Sequence, residues 1–259
     1  MDTIAALVGA GRERAGVAID AADRSAPYSY QEFCTNVWKA GNLLGHYSHP
    51  GGSVAVVPGR KRADSEPEGS GGGGNGSVRQ AGSGRKGSID SADPVLAALG
   101  GTLLGTTVTL TPETPVVADA LVRPAGAAWR EGSPARAGCT VLAYGGPPEP
   151  SSVEHFEAAL WSENPIEPPE SVEPETPAMR VGGETHSHGE LLDGAATAVD
   201  RHSLDAESRV LLAGDLRDPG VLVAGVLAPL SVGATVVLGD RQVAGEAELV
   251  VDGSEGRKD

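Results

Sequence analysis

The chain has little cysteine, few aromatic side chains and no long apolar run. Cys34 and Cys139 are its two cysteines, and neither lies in a CxxC or similar cluster. Two isolated thiols argue against a disulfide scaffold and suit a reducing compartment. No apolar run is long enough to span a bilayer, and no basic region precedes the short apolar run at the N-terminus. We therefore expect a cytoplasmic protein with neither a signal peptide nor a membrane span.

Positive charge is also scarce. The chain has 20 Lys and Arg against 35 Asp and Glu, a formal net charge of −15, and only four of its residues are lysines. This balance argues against binding to nucleic acid or to an anionic membrane, where clustered Lys and Arg must displace counterions. Acid excess, scarce lysine and small apolar residues are typical of a halophilic proteome. The alternative is an ordinary acidic protein from a GC-rich genome.

Residues 59–92 contain ten glycines and almost no large apolar side chain. Such a segment cannot bury enough surface to offset its ordering entropy, so we predict a disordered Gly-rich linker or insertion. It would separate a first α/β segment, 1–58, from the remainder of the same domain, 93–252, which a polar tail, 253–259, follows. Its basic run, 60–62, would either contact an acidic surface or remain a solvated loop.

The ordered parts of the chain alternate between two apolar patterns. Short apolar runs bounded by Gly, Pro or Asp, such as "VAIDAAD", "GSVAVVPG" and "ATVVLGD", predict buried strands. Helical spacing in "YSYQEFCTNVWKAGNLLGHY", "HGELLDGAATAVDRH" and "DPGVLVAGVLAPLSVG" predicts helices. The sequence therefore predicts an α/β fold with a mostly parallel, doubly wound sheet.

At three expected helix starts a serine precedes a glutamate by three residues, which is the spacing of a helix capping box. These pairs are Ser29 with Glu32, Ser151 with Glu154, and Ser187 with Glu190. Each predicts the start of a helix, because the serine hydroxyl can accept from the third backbone N–H while the glutamate reaches back.

Several segments, in order, resemble the N-terminal domain of the adenylate-forming (AMP-binding) superfamily, which includes the acyl-CoA synthetases. They cover most of the chain outside the Gly-rich segment: "APYSYQEFCTNVWKAGNLL", "GSVAVVPG", "DPVLAALGGTLLGTTVTLTPET", "VEPETPA", "SHGELL" and "ESRVLLAGDLRDPGVLVAGVLAPLSVGATVVLGD". The resemblance implies the α/β fold of that domain. It also implies ATP, AMP or CoA as conceivable ligands, and a small acyl or nucleotide ligand in a cleft at the carboxyl ends of the strands.

The segment that resembles the family's phosphate-binding region is shortened. In that family a Ser/Thr/Gly-rich loop ending in Pro-Lys-Gly holds the ATP phosphates just before the helix that begins here at "SHGELL". Only "MRVGGET" separates Ala178 from His186, with one hydroxyl, one basic side chain, two glycines and no lysine. The family's adenine pocket and catalytic lysine follow the segment that ends here near Leu238, and Lys258 has no motif around it. We therefore assign no catalytic residue.

His188 matches the histidine of that helix start, through Ser187, Leu191 and Leu192. The resemblance places this histidine near the nucleotide and acyl sites, so His188 is the candidate cofactor-binding residue. A metal site at His186 and His188 would need Glu184 or Glu190 to complete the ligand set, and no second ligand cluster supports one. The alternative is a pair of partly exposed histidines at a capped helix start, and we predict no metal.

Other residues that could serve as a nucleophile or a phosphate loop have simpler structural interpretations. Cys34 lies beside Phe33 in a helical pattern, which indicates a core position rather than a nucleophile. The glycine-rich runs "GAGRERAG" and "GSGGGGNG" lack the strand-turn-helix context of a phosphate loop.

Two functions remain open from the sequence, and a third possibility is a decaying gene product with no present function. The first is a degenerate acyl-CoA synthetase-like pseudoenzyme that binds a protein partner or a small ligand without forming acyl-adenylates. The second is the N-terminal half of a split acid-thiol ligase that another polypeptide completes.

Overall fold

The computed structural model describes residues 1–59, 89–110, 112–113, 115–125, 135–239 and 247–253. Within these ranges, none of the helices has the length and apolar character needed to cross a bilayer.

The described residues form strands in two sheets. In chain order they are β1 (Val17–Ala21), β2 (Tyr28–Ser29), β3 (Ser53–Val56), β4 (Thr107–Thr109), β5 (Ala120–Pro124), β6 (Thr140–Tyr144), β7 (Glu154–His155), β8 (Pro177–Val181), β9 (Glu184–Ser187), β10 (Arg209–Leu212), β11 (Thr235–Leu238) and β12 (Leu249–Val251).

Helices lie between these strands. They are α1 (Ile4–Arg12), α2 (Tyr30–Gly45), α3 (Asp93–Thr102), α4 (Phe156–Ser162), α5 (His188–His202), α6 (Pro219–Leu222) and α7 (Ala228–Val232). The predicted helix before Gly233 is interrupted by a π-helical segment, Val223–Leu227, between α6 and α7. Pro229 has no N–H to donate to the preceding turn, which accounts for a local change in hydrogen bonding there. Gly233 ends α7 in the left-handed region, at φ 92°.

The strands are divided between a five-stranded sheet, in the order β12-β10-β11-β1-β2, and a seven-stranded sheet, in the order β7-β6-β5-β3-β4-β8-β9. All pairs are parallel except β1 with β2 and β8 with β9. Central strands such as β5 and β11 are buried along their whole length. The predicted α/β class is confirmed, although the sequence indicated one sheet and the fold has two.

The end of the predicted Gly-rich linker belongs to the folded core. Ile89 is fully buried, Ser91 and Ala92 are buried, and Ser91 Oγ donates to Asp93 Oδ2 at 2.8 Å. The 59–92 boundary therefore needs correction at its C-terminal side, because Ile89 supplies the large apolar side chain that the rest of the segment lacks. Residues 60–88, including the basic run, lie outside the described residues.

The capping boxes have different outcomes. Ser29 accepts from the backbone N–H of Glu32 at 3.2 Å, but the Glu32 carboxylate pairs with Arg24 instead of reaching back. The prediction at Ser151 and Glu154 is wrong: Glu154 lies in β7 and accepts from the Tyr47 hydroxyl, and the helix begins later, at Phe156.

Candidate functional site

The hairpin between β8 and β9 lies in the segment that the sequence analysis compared with the family's phosphate-binding region. Val181 pairs with Glu184, so Gly182 and Gly183 alone form the turn. Both have positive φ, 61° and 90°, the conformation of a type I′ turn, which glycine adopts without a steric cost. The chain therefore passes from β8 through a tight two-residue turn into β9, which leads directly to the start of α5.

The start of α5 is a complete capping box, as predicted. Ser187 Oγ accepts from the Glu190 N–H at 3.2 Å, and Glu190 Oε2 accepts from the Ser187 N–H at 2.8 Å. The Ser187 backbone hydrogen bond lowers the pKa of the Glu190 carboxyl below its usual value. The Glu190 side chain is therefore committed to the helix start.

We expect Ser187→Ala to lower the free energy of unfolding by about 1 kcal/mol, because it leaves one helix N–H without its acceptor. Urea denaturation followed by circular dichroism measures this loss. Ser203→Ala, just beyond the C-terminus of α5, is the control at the opposite end of the same helix. A loss at Ser187 no larger than that at Ser203 would contradict a capping role.

His188 points into the protein. Its side chain is fully buried, and its Nδ1 accepts the backbone N–H of Ile4, at the start of α1, at 3.2 Å. Burial lowers the pKa of the His188 imidazole to about 4. Its Nε2 is buried without a hydrogen-bond partner in the described structure. His188 thus links the start of α5 to α1, and in this conformation it offers no surface to a nucleotide. Its role in cofactor binding stays a prediction.

The neighbouring histidine does not join His188 in a ligand set. His186 lies on β9, paired with Met179 of β8, and Glu190 is held by Ser187. Among the residues that the structure describes, no group of three or more His, Cys, Asp or Glu side chains is arranged to hold a metal ion.

A shallow crevice lies beside the hairpin tip, where the loop after β10 approaches the turn. Gly182, Asp215, Arg217, Asp218 and Pro219 line this space of about 490 Å³. Arg217 Nε donates to both carboxylate oxygens of Asp215, at 2.9 and 2.8 Å. Asp218 is occupied as the N-cap of α6 and accepts from the Gly220 N–H at 2.8 Å. The crevice therefore carries two carboxylates against one cation that is already paired.

A second cavity lies at the carboxyl ends of strands of the seven-stranded sheet. It has a volume of about 260 Å³, and its lining includes Thr109, Glu113, Val116, Arg180 and Gly183. The sequence analysis did not select Arg180. Strand alternation places this exposed side chain between the buried Met179 and Val181. Such a position is recognisable only once β8 is known to end at this edge.

The remaining sequence candidates are structural. Cys34 is buried in α2, and burial raises the pKa of its thiol to about 12, so the reactive thiolate is disfavoured. Gly9 and Gly11 lie inside α1, so "GAGRERAG" begins within a helix and is not a phosphate loop. The "GSGGGGNG" run lies outside the described residues.

Comparison with known proteins gives similarity at the level of structure. No protein-family model matches this sequence, and no curated protein matches it significantly. The benzoate CoA ligase from Burkholderia xenovorans LB400 is 18% identical, with a TM-score of 0.66 over 92% of this chain and 45% of the ligase. The anthranilate CoA ligase AuaEII, in complex with anthranoyl-AMP, is 16% identical, with a TM-score of 0.64 and the same coverage, 92% and 45%.

A third similar structure is the N-terminal domain of FACL13 from Mycobacterium tuberculosis. It is 12% identical, with a TM-score of 0.63 over 92% of this chain and 57% of that one. This chain thus spans about half the length of the proteins it resembles. The likeness shows the fold: this chain folds like the N-terminal domain of FACL13 and like part of the two CoA ligases.

Proposed function

We propose that this chain is a binding or regulatory protein built on the ligase fold, and that it does not form acyl-adenylates by itself. One observation carries the proposal: Gly182 and Gly183 alone connect β8 to β9, where the resembling family holds ATP phosphates.

The physical requirement of phosphate binding supports this proposal. A triphosphate needs several converging backbone N–H groups or hydroxyls, and cations to offset its charge. A two-residue turn offers few such donors. The adjacent crevice has Asp215 and Asp218 against Arg217, which Asp215 already pairs, so its net charge would repel phosphate.

Acid-dependent ATP–pyrophosphate exchange tests the absence of adenylation. We expect the purified chain, in high-potassium buffer, to give no exchange above background with aliphatic or aromatic acids. The benzoate CoA ligase serves as the positive control. Exchange that depends on an added acid would contradict the proposal. The binding role would lose its basis if AMP, CoA and acyl-adenylate mimics gave no thermal shift and a pull-down gave no partner.

A second candidate function follows from the share of the ligases' length that this chain covers. This chain aligns with 45% of the benzoate CoA ligase, so it could act as the N-terminal half of a split acid-thiol ligase. The same exchange assay, repeated with the product of the adjacent gene, separates the two candidates. Exchange only in the mixture supports the split ligase, and its absence in both conditions excludes it.

A further inference from the structure

Arg180 lies in a row of side chains that crosses three strands at one end of the seven-stranded sheet. Thr109 of β4 pairs with Arg180 of β8, and Arg180 pairs in turn with Thr185 of β9. Residues paired on neighbouring strands point to the same face of a sheet. Val108 and Met179 are buried in the main core, so strand alternation places this row on the opposite face. A guanidinium therefore lies between two hydroxyl-bearing residues on one face of the sheet.

The polar groups of this row are not used within the protein. In the part of the chain that the structure describes, the Arg180 guanidinium and the hydroxyls of Thr109 and Thr185 make no hydrogen bond or ion pair. Other arginines of this acidic chain differ, since Arg24 and Arg209 each pair with a carboxylate. The row can therefore donate hydrogen bonds to a ligand without breaking an internal contact.

The row borders the cavity of about 260 Å³ at the carboxyl ends of the strands. Thr109 and Arg180 both line it, and Ala55, which pairs with Thr109 on β3, continues the same row into it. Much of the remaining lining is apolar and comes from the segment before β5, including Val116 and Ala118. One cavity thus combines a cation and a hydroxyl with an apolar wall, and its size admits a small molecule.

This cavity is separate from the crevice beside Asp215 and Arg217, because the two spaces share no lining residue. The difference matters for charge. In the crevice the cation is already paired with a carboxylate, whereas Arg180 keeps its positive charge for a ligand.

The charges at the cavity favour a ligand with one negative charge. Glu113 also lines the cavity, and although both residues are described, no ion pair joins it to Arg180. A single guanidinium balances one carboxylate, and its planar fork matches the two carboxylate oxygens. A second negative charge would have no cation to balance it and would be repelled by Glu113 and by a chain with a net charge of −15.

We propose that this cavity binds a small monocarboxylate with a short apolar body. Arg180 holds the carboxylate, the Thr109 hydroxyl donates a hydrogen bond to it, and the apolar body lies against Val116 and Ala118. The proposal rests on the proposed function, because it names a ligand class and a site for a binding protein. It concerns binding alone and involves no covalent step.

A titration of the full-length chain with benzoate, followed by ligand-observed NMR, tests the charge requirement. We expect benzoate to bind. Benzamide, its uncharged counterpart of nearly the same shape, should bind about tenfold or more weakly, because the charged hydrogen bonds are lost. Arg180→Gln should weaken benzoate by a similar factor, about tenfold or more. Arg180→Lys should retain part of the affinity, because it keeps the charge but loses the planar fork.

The matched control for Arg180 is Arg201→Gln. Arg201 is an exposed arginine on α5 that lines a different cavity. Benzoate affinity should stay within about twofold of the wild type in this variant. If Arg201→Gln weakened benzoate and Arg180→Gln did not, the acid would bind in that other cavity and the proposal would be wrong.

The hydroxyl contribution has its own pair of variants. Thr109→Val keeps the shape of the side chain and removes the donor, so it should weaken benzoate by about threefold. Thr107→Val is the control, because Thr107 lies on the same face of β4 but does not line the cavity. Equal affinities of the two variants would contradict a hydrogen bond from Thr109.

The proposal is overturned if benzoate does not bind, if benzamide binds as tightly, or if Arg180→Gln keeps the wild-type affinity. Inorganic phosphate that binds more tightly than benzoate would also overturn it, because the site would then prefer a more highly charged anion. Pyrophosphate exchange and the thermal shifts with AMP and CoA test the proposed function separately, so either proposal can fail without the other.

Discussion

Replacing Gly100 with alanine is expected to lower the free energy of unfolding by about 2 to 3 kcal/mol, because the new methyl group overpacks a helix contact. Gly100 lies inside α3, where this helix crosses α2. A Cβ atom at Gly100 would lie 2.7 Å from Ala40 Cβ and 2.7 Å from the backbone nitrogen of Gly41. Real Cβ atoms do not approach so closely, so the two helices would have to separate.

The neighbouring structure leaves little room for such a movement. Gly41 shows the same close approach from α2, since a Cβ there would lie 3.1 Å from the Gly100 carbonyl oxygen. The contacted atoms belong to backbone or to short side chains, which cannot rotate away. Both helices also pack against buried core residues, so a shift would disturb interior packing at native density.

The matched control is Gly9→Ala, in the interior of α1. A Cβ at Gly9 meets no atom within 4 Å, so alanine should be neutral or stabilise the chain by about 0.5 to 1 kcal/mol through helix propensity. Urea denaturation of both variants, at one fixed salt concentration, measures the two changes. Equal effects would show that Gly100 is not at a critical contact.

The second large effect is a pH dependence of stability that His188 produces. Burial holds the pKa of the folded imidazole at about 4, below its ordinary value of 6.5. Between these values the unfolded chain binds a proton that the folded chain excludes. Stability should therefore be unaffected above pH 6.5 and fall as the pH decreases toward 4, by up to about 3 kcal/mol.

His188→Asn separates this effect from the other titrating groups. The asparagine oxygen can accept from the Ile4 N–H as Nδ1 does, but it does not titrate in this range. Between pH 7 and pH 4, the free energy of unfolding should fall more for the wild type than for His188→Asn. If the His188→Asn slope matched the wild type, His188 would not be the buried neutral group.

The three capping-box patterns show how far local sequence determines structure. Ser187 and Glu190 complete the box because both partners lie within one helical turn. Glu32 has the same spacing to Ser29, but Arg24 takes its carboxylate. Glu154 joins a strand beside Tyr47, a residue far away in the sequence. A local pattern identifies a helix start only where no distant group competes for its side chains.

The candidate site was predictable in part. Counting residues between Ala178 and His186 showed that a long phosphate loop does not fit, and the structure places the Gly182–Gly183 turn there. The sequence did not indicate that the His188 imidazole faces α1, since Ile4 is 184 positions away. Nor did it indicate the exposure of Trp161, because helical spacing at the end of α4 does not reveal what covers that end.

The sequence by itself determined the α/β class and most strands and helices, because periodicity, glycines and prolines act over a few residues. Tertiary structure decided how the strands divide between two sheets, with β1 pairing to β11 rather than β3. It also decided that His188 is buried and that Trp161 is exposed. These outcomes depend on which distant surfaces pack together, and the free energy of that packing is shared among residues that no local pattern connects.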